Sequence, residues 1–159
     1  PHMNRLSWLN IALVCAVCML GFSPTASNAA SQKVLCIGDS ITEGTYVDGS
    51  WVKGESWVTV LQELAGDNLR VVNGGKSGRR TYDFESIHEV IDRHDNINHV
   101  IFFLGVNDMK TSTDEYRKGC VANIEKLIDA ARERYGDIEV TILSSPGLDV
   151  NNMAPVFFN

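Results

Sequence analysis

Several things are scarce in this sequence, and each shortage narrows the field. Among 159 residues there are only four cysteines and four histidines. Cys15 and Cys18 stand as C-x-x-C, a spacing that elsewhere points to redox or metal chemistry. Here the pair lies inside the apolar stretch 11–22 and is set aside with it. Cys36 and Cys120 remain, too few for a disulfide framework. A single bridge between them stays open in an oxidising compartment, and so does a buried free thiol at Cys36 acting as a small hydrophobe. His88 with Asp92, or Asp95 with His99, would offer two weak ligands at helical spacing and no third, so no metal site is expected. Excess basic charge is lacking too. A net charge of −6 argues against nucleic acid or an anionic membrane as the main partner. The longest apolar run, IALVCAVCMLGF, is shorter than the roughly 20 residues that span a bilayer. After residue 31 there is no repeat, low-complexity tract or linker, so residues 31–159 form one domain able to bury a sizeable core.

What precedes that domain has its own logic. Pro1-His2 ahead of Met3 look like a leftover of cloning, which sets residues 1–3 apart. Residues 4–30 then combine a weakly basic start at Arg5, the short apolar run, Pro24 and the small residues Ser27-Asn28-Ala29-Ala30. That order describes a secretory signal peptide; an uncleaved anchor is the alternative, disfavoured by length. The expectation is a secreted or periplasmic protein, with no stable membrane association once the signal is removed.

The domain opens with KVLCIGDSIT, residues 33–42. Val34, Leu35, Cys36 and Ile37 form a run suited to a strand buried on both faces, as in a parallel sheet. Gly38-Asp39-Ser40 ends it, leaving Ser40 just past the strand's carboxyl end, where open α/β sheets place their ligands. Taken alone, Ser40 is equally a capping serine. Residues 45–54, with two glycines and no period, predict a loop over the Ser40 crevice. Residues 55–65 predict a helix with Trp57, Val60, Leu61 and Leu64 on its apolar face. A strand at 69–72 leads into the glycine-rich loop 73–81, then a short helix carries Phe84, Ile87 and Ile91. The most hydrophobic strand spans 100–104 and is closed by Gly105-Val106-Asn107-Asp108. Ser112 and Glu115 form a capping-box pattern for a helix with Tyr116, Cys120, Ile124, Leu127, Ile128, Ala131 and Tyr135 on one face. A fourth strand covers 138–143. Alternating strands and helices give an α/β three-layer sandwich with a mostly parallel sheet, its polar loops gathered at one edge.

Gly38-Asp39-Ser40, then Asn73 with Gly78, then Gly105-Val106-Asn107-Asp108, resemble blocks I, II and III of the SGNH (GDSL) hydrolases in order, spacing and placement after successive strands. Gly78-Arg79-Arg80-Thr81 and the stretch 104–110 are similar to the arylesterase-like branch. The resemblance covers residues 33–148 and implies a flavodoxin-like sheet of order 2-1-3-4. It implies hydrolysis of carboxylic esters (short-acyl, aryl or acetylated-sugar) through an acyl-Ser40 intermediate, without metal or cofactor. The catalytic set it implies is Ser40 as nucleophile, with the Ser40 and Gly78 backbone N–H groups and the Asn107 side-chain amide as oxyanion donors. The expected partner is a small ester or an acetylated glycan.

One block of the pattern is missing. The family's acid and histidine come from a late Asp-x-x-His, and this sequence has none; His88, His94 and His99 all precede Asn107. The tail 151–159 shows no helix face, and Phe157-Phe158 would make poor surface residues. The expectation is therefore a C-terminally incomplete sandwich, short of its last strand, last helix and base, with reduced or no activity. The alternatives are a flavodoxin-like ligand-binding module, or a homo-oligomer that lends a histidine. Tyr46 and Trp51 are expected to wall an acyl or sugar subsite. Arg79 and Arg80 are expected to be solvated, or else to orient an anionic substrate.

Overall fold

The computed structural model describes residues 32–47, 50–53, 55–110 and 114–144. The signal segment, Ser112 of the capping box and the tail lie outside the described residues, as do the side chains of Tyr46 and Trp51. Strand β1 (Gln32–Gly38) leads into a single helical turn, α1 (Ser40–Glu43). Next come β2 (Gly44–Val47) and β3 (Ser50–Lys53), then α2 (Trp57–Ala65) and β4 (Leu69–Gly75). Helix α3 (Phe84–Arg93) and β5 (His99–Phe103) follow, then the short α4 (Val106–Met109). Helix α5 (Asp114–Tyr135) and β6 (Glu139–Ile142) complete the described chain.

Among the described residues, β4, β1, β5 and β6 form one sheet in that spatial order. Every pairing in it is parallel, so all four carboxyl ends share an edge. The first connection leaves β1 on one side and the second returns past it, which puts the point of reversal between β1 and β5. Alternation along β1 supplies both layers of core. Leu35 and Ile37 pack with Ile87 and Ile91 of α3 and with Ile124, Leu127 and Ala131 of α5. Val34 and Cys36 face the other way, onto Trp57, Val58, Leu61 and Ala65 of α2. Cys36, on the central sheet, and Cys120, on α5, are both buried and form no disulfide with each other.

Four local expectations need correction. Residues 44–47 and 50–53 are paired antiparallel strands, with Tyr46 opposite Trp51, rather than an irregular loop. In the sequence their β-formers flank Asp48-Gly49, a hairpin turn signal that carries no periodicity. The inward face of α2 is Trp57, Val58, Leu61 and Ala65, while Leu64 is 55% exposed. Ser56 caps α2, accepting from the Val58 N–H at 3.2 Å, with Thr59 returning the bond to Ser56. Strand β4 also runs on through Asn73-Gly74-Gly75, paired with Cys36, Ile37 and Gly38 of β1. Tyr116, expected on the buried face of α5, lies at the surface.

His99 opens β5 at the edge remote from Ser40. Its Nε2 is 2.8 Å from Thr141 Oγ1, and its Nδ1 is 3.6 Å from Glu139 Oε2. Burial lowers its pKa from the ordinary 6.5, against the pull of Glu139. Burial, with Lys33 and Arg93, lowers His94 likewise, while Asp95 acts against them. The unfolded chain therefore takes up protons near pH 6.5 that the native chain refuses. Stability falls as pH drops through 6.5 and levels off only below the native values. Urea midpoints measured from neutral pH to about pH 5 should fall in the wild type and fall less steeply in His99→Gln. Identical slopes would remove His99 from this account.

Candidate active site

Ser40 is the first residue of α1, and the turn that carries it is fixed by its neighbour. Asp39 caps α1, its Oδ1 accepting the Ile41 N–H at 2.9 Å. Only 1% of Asp39 is exposed. Burial pushes its pKa up, while the Ile41 N–H and the Lys110 charge pull it back. The helical turn then folds tightly over the sheet. A Cβ on Gly38 would stand 2.0 Å from Thr42 Oγ1 and 2.9 Å from the Phe103 carbonyl oxygen. A Cβ on Gly75 would stand 2.2 Å from the Glu43 nitrogen. Only glycine fits at either strand end. From the side, Trp57 Nε1 donates to Thr42 Oγ1 at 3.2 Å, and Asn73 Nδ2 donates to the Thr42 carbonyl at 2.7 Å.

The loop after β4 is tied back to the same turn. Lys76 N–H donates to the Gly38 carbonyl at 3.1 Å, and Ser77 N–H to Glu43 Oε2 at 2.7 Å. Gly78 then takes φ +77°, a left-handed conformation that glycine adopts without strain. From the next strand end, Asn107 on α4 is 8% exposed. Its Nδ2 donates to the Arg79 carbonyl at 3.0 Å and makes a longer contact of 3.4 Å with Asp39 Oδ2. The bond to Asp39 is the looser of the two. Asp108, fully buried, accepts the Thr81 N–H at 3.1 Å and the Thr81 hydroxyl at 2.5 Å. Asn123 of α5 adds a bond to Thr81 Oγ1 at 3.3 Å.

Ser40, Gly78 and Asn107 therefore come from the carboxyl ends of β1, β4 and β5, with direct hydrogen bonds joining the three loops. A profile of the GDSL-like Lipase/Acylhydrolase family matches residues 36–158. The chain belongs to the GDSL-like lipase/acylhydrolase family. Similar solved structures agree. A carbohydrate acetylesterase family member from Sinorhizobium meliloti is 28% identical at a TM-score of 0.60, over 72% of this chain and 63% of that one. The esterase AlinE4, an SGNH-hydrolase family member, is 29% identical at 0.57, over 73% and 60%. An inhibitor-bound aryl esterase of M. smegmatis, 20% identical at 0.56 over 70% and 63%, shares the fold. Each of these matches spans less than two thirds of the other protein's length. No curated protein matches by sequence.

Within this GDSL-family site, the residues that sequence reasoning undervalued are the charged and amide side chains. Arg79 is neither solvated nor turned to a substrate. It is 3% exposed, with its guanidinium spent on main-chain carbonyls. Arg80 is half-buried, bonds to the Tyr82 hydroxyl and lies over the stacked rings of Tyr82 and Tyr116, whose centroids are 4.5 Å apart. Asn73 serves α1 through the Thr42 carbonyl. Among the described residues no histidine stands at this edge. His94 ends α3 and His99 opens β5, both at the opposite edge, and His88 is exposed on α3. No cluster of three His, Cys, Asp or Glu among the described residues can hold a metal ion.

Asp108→Ala would strand two buried Thr81 donors. It should cost about 2–4 kcal/mol of stability, read as a shift of the urea midpoint. A loss well under about 1 kcal/mol would show that water takes over the carboxylate's bonds.

Proposed function

We propose that this chain carries the nucleophile and oxyanion hole of a serine ester hydrolase acting on carboxylic esters. The observation that supports it best is the Asn107 amide bonded to the Arg79 carbonyl beside Ser40, at the point where the sheet order reverses. Ser40 Oγ attacks the ester carbonyl carbon and the carbonyl electrons move onto oxygen. That oxyanion is received by the Ser40 and Gly78 N–H groups and the Asn107 amide, donors whose placement precedes the reaction. Collapse expels the alcohol and leaves the acyl group on Ser40; water then attacks and regenerates the hydroxyl.

Proton transfer needs a base, and none of the described histidines is placed to supply one, so it has to come from outside the described residues. Short-acyl, aryl and acetylated-sugar esters are the substrates we propose, in keeping with the carbohydrate acetylesterase and the esterase among the similar structures. The apolar run 11–22 supports export to a secreted or periplasmic location.

Labelling with a fluorophosphonate, located by mass spectrometry beside a Ser40→Ala control, tests the reading. Rapid labelling at Ser40 supports it, since the reagent needs an activated serine. A folded sample that labels no faster than the control would overturn turnover by this chain and favour a ligand-binding module. With p-nitrophenyl acetate, Asn107→Ala should lower kcat by about 10²–10³ with KM little changed. An unchanged kcat would remove Asn107 from the oxyanion hole.

A further inference from the structure

The Arg79 guanidinium sits where a cation is costly. Among the described residues no carboxylate stands within ion-pair distance of it; Asp83, Glu43, Asp39 and Glu89 favour its charge only from further off, and burial outweighs them. Its donors go instead to main-chain oxygens. Nη1 bonds to the Gly38 carbonyl at 3.1 Å and, more closely, to the Gly74 carbonyl. Nη2 reaches the Ser86 carbonyl at 3.4 Å, and Nε reaches Ser86 Oγ at 3.3 Å. These oxygens belong to the end of β1, the end of β4 and the first turn of α3. A loop held only for stability could be packed with an apolar side chain at lower cost. What the fork adds is geometry, several directed bonds from one rigid plane.

Each oxyanion donor is close to that plane by bonds already described. Gly78 is the preceding residue. The Arg79 carbonyl receives the Asn107 amide, and Gly38 stands two residues before Ser40. We propose that Arg79 is a positioning residue, fixing the Gly78 N–H and the Asn107 amide relative to Ser40 by clamping the Gly38, Gly74 and Ser86 carbonyls. The proposal rests on the hydrolase reading for its catalytic consequence, and its geometric content stands apart from turnover.

The test compares the full chain with Arg79→Lys and Ser86→Ala. Lysine keeps the charge but offers one compact ammonium in place of the fork. Arg79→Lys should lower kcat for p-nitrophenyl acetate by about 10–100-fold with KM within about threefold. Amide exchange by NMR should quicken about tenfold at the backbone N–H of residue 79, which donates to the Lys76 carbonyl, and at the Asn107 side chain, while β1 core amides such as Leu35 stay protected. Ser86→Ala, which removes one acceptor from a half-buried site, should move the same readouts less, by about two- to fivefold. If Arg79→Lys does not fold, Ser86→Ala alone decides.

Exchange unchanged at the residue 79 N–H and at the Asn107 side chain in the folded variants would overturn the proposal. So would exchange that quickened equally throughout the sheet, which is what a merely structural role predicts. A wild-type chain without Ser40-dependent turnover would defeat the hydrolase reading alone. The exchange comparison would still judge Arg79.

Discussion

The contact between α1 and the ends of β1 and β4 governs what the rest of the molecule has to do. Ser40 can sit at the sheet's edge only if the chain turns back on itself immediately after β1. That turn brings Thr42 against Gly38 and the Glu43 backbone against Gly75, closer than any Cβ would permit. Two glycines thus fix where the serine stands. Trp57, Asn73 and Ser77 then secure the turn from three sides, each through a hydrogen bond to an α1 residue. The central sheet determines where the loops begin, and this contact determines how the first of them ends.

A second theme is the use of buried charge against backbone instead of against opposite charge. Asp39 takes the Ile41 N–H, Asp108 the Thr81 N–H, and Arg79 a set of carbonyls. Charge-assisted bonds of this kind are short and directional, so they fix loop positions where a pair of mobile side chains would not. The ion pairs of Arg117 with Asp114 and of Arg134 with Asp95 lie at the surface. Pairs of that exposure are worth at most about 1 kcal/mol. The rigid polar work of this molecule is concentrated at one edge.

Much of the architecture was legible because strand and helix signals here are strong and local. Val34–Ile37 announced a strand buried on both faces, and the alternation of elements gave the mostly parallel sandwich, while the strand order came from the family resemblance. Ser40, Gly78 and Asn107 could be singled out because each follows a strand within a short motif. The pairing of 44–47 with 50–53 was not legible because its signal is a turn dipeptide, not a period. The α2 face was misjudged because Val58 and Val60, or Leu64 and Ala65, compete closely in a nine-residue helix, and only packing against the sheet decides between them. Arg79 was the hardest. An arginine in a polar loop is solvated by default, and the carbonyls that bury it belong to residues 5 and 41 positions away in sequence.

The position of β1 carries a further consequence, for how the chain comes together. It is the earliest described strand, yet it is paired on both edges, by residues 69–75 on one side and 99–103 on the other. Local folding cannot satisfy it. During vectorial synthesis Val34–Ile37 would emerge with both hydrogen-bonding edges open and wait for two later segments, each joined by a parallel crossover of high contact order. The strand that anchors the finished site is therefore also the one most in need of shelter before the site exists.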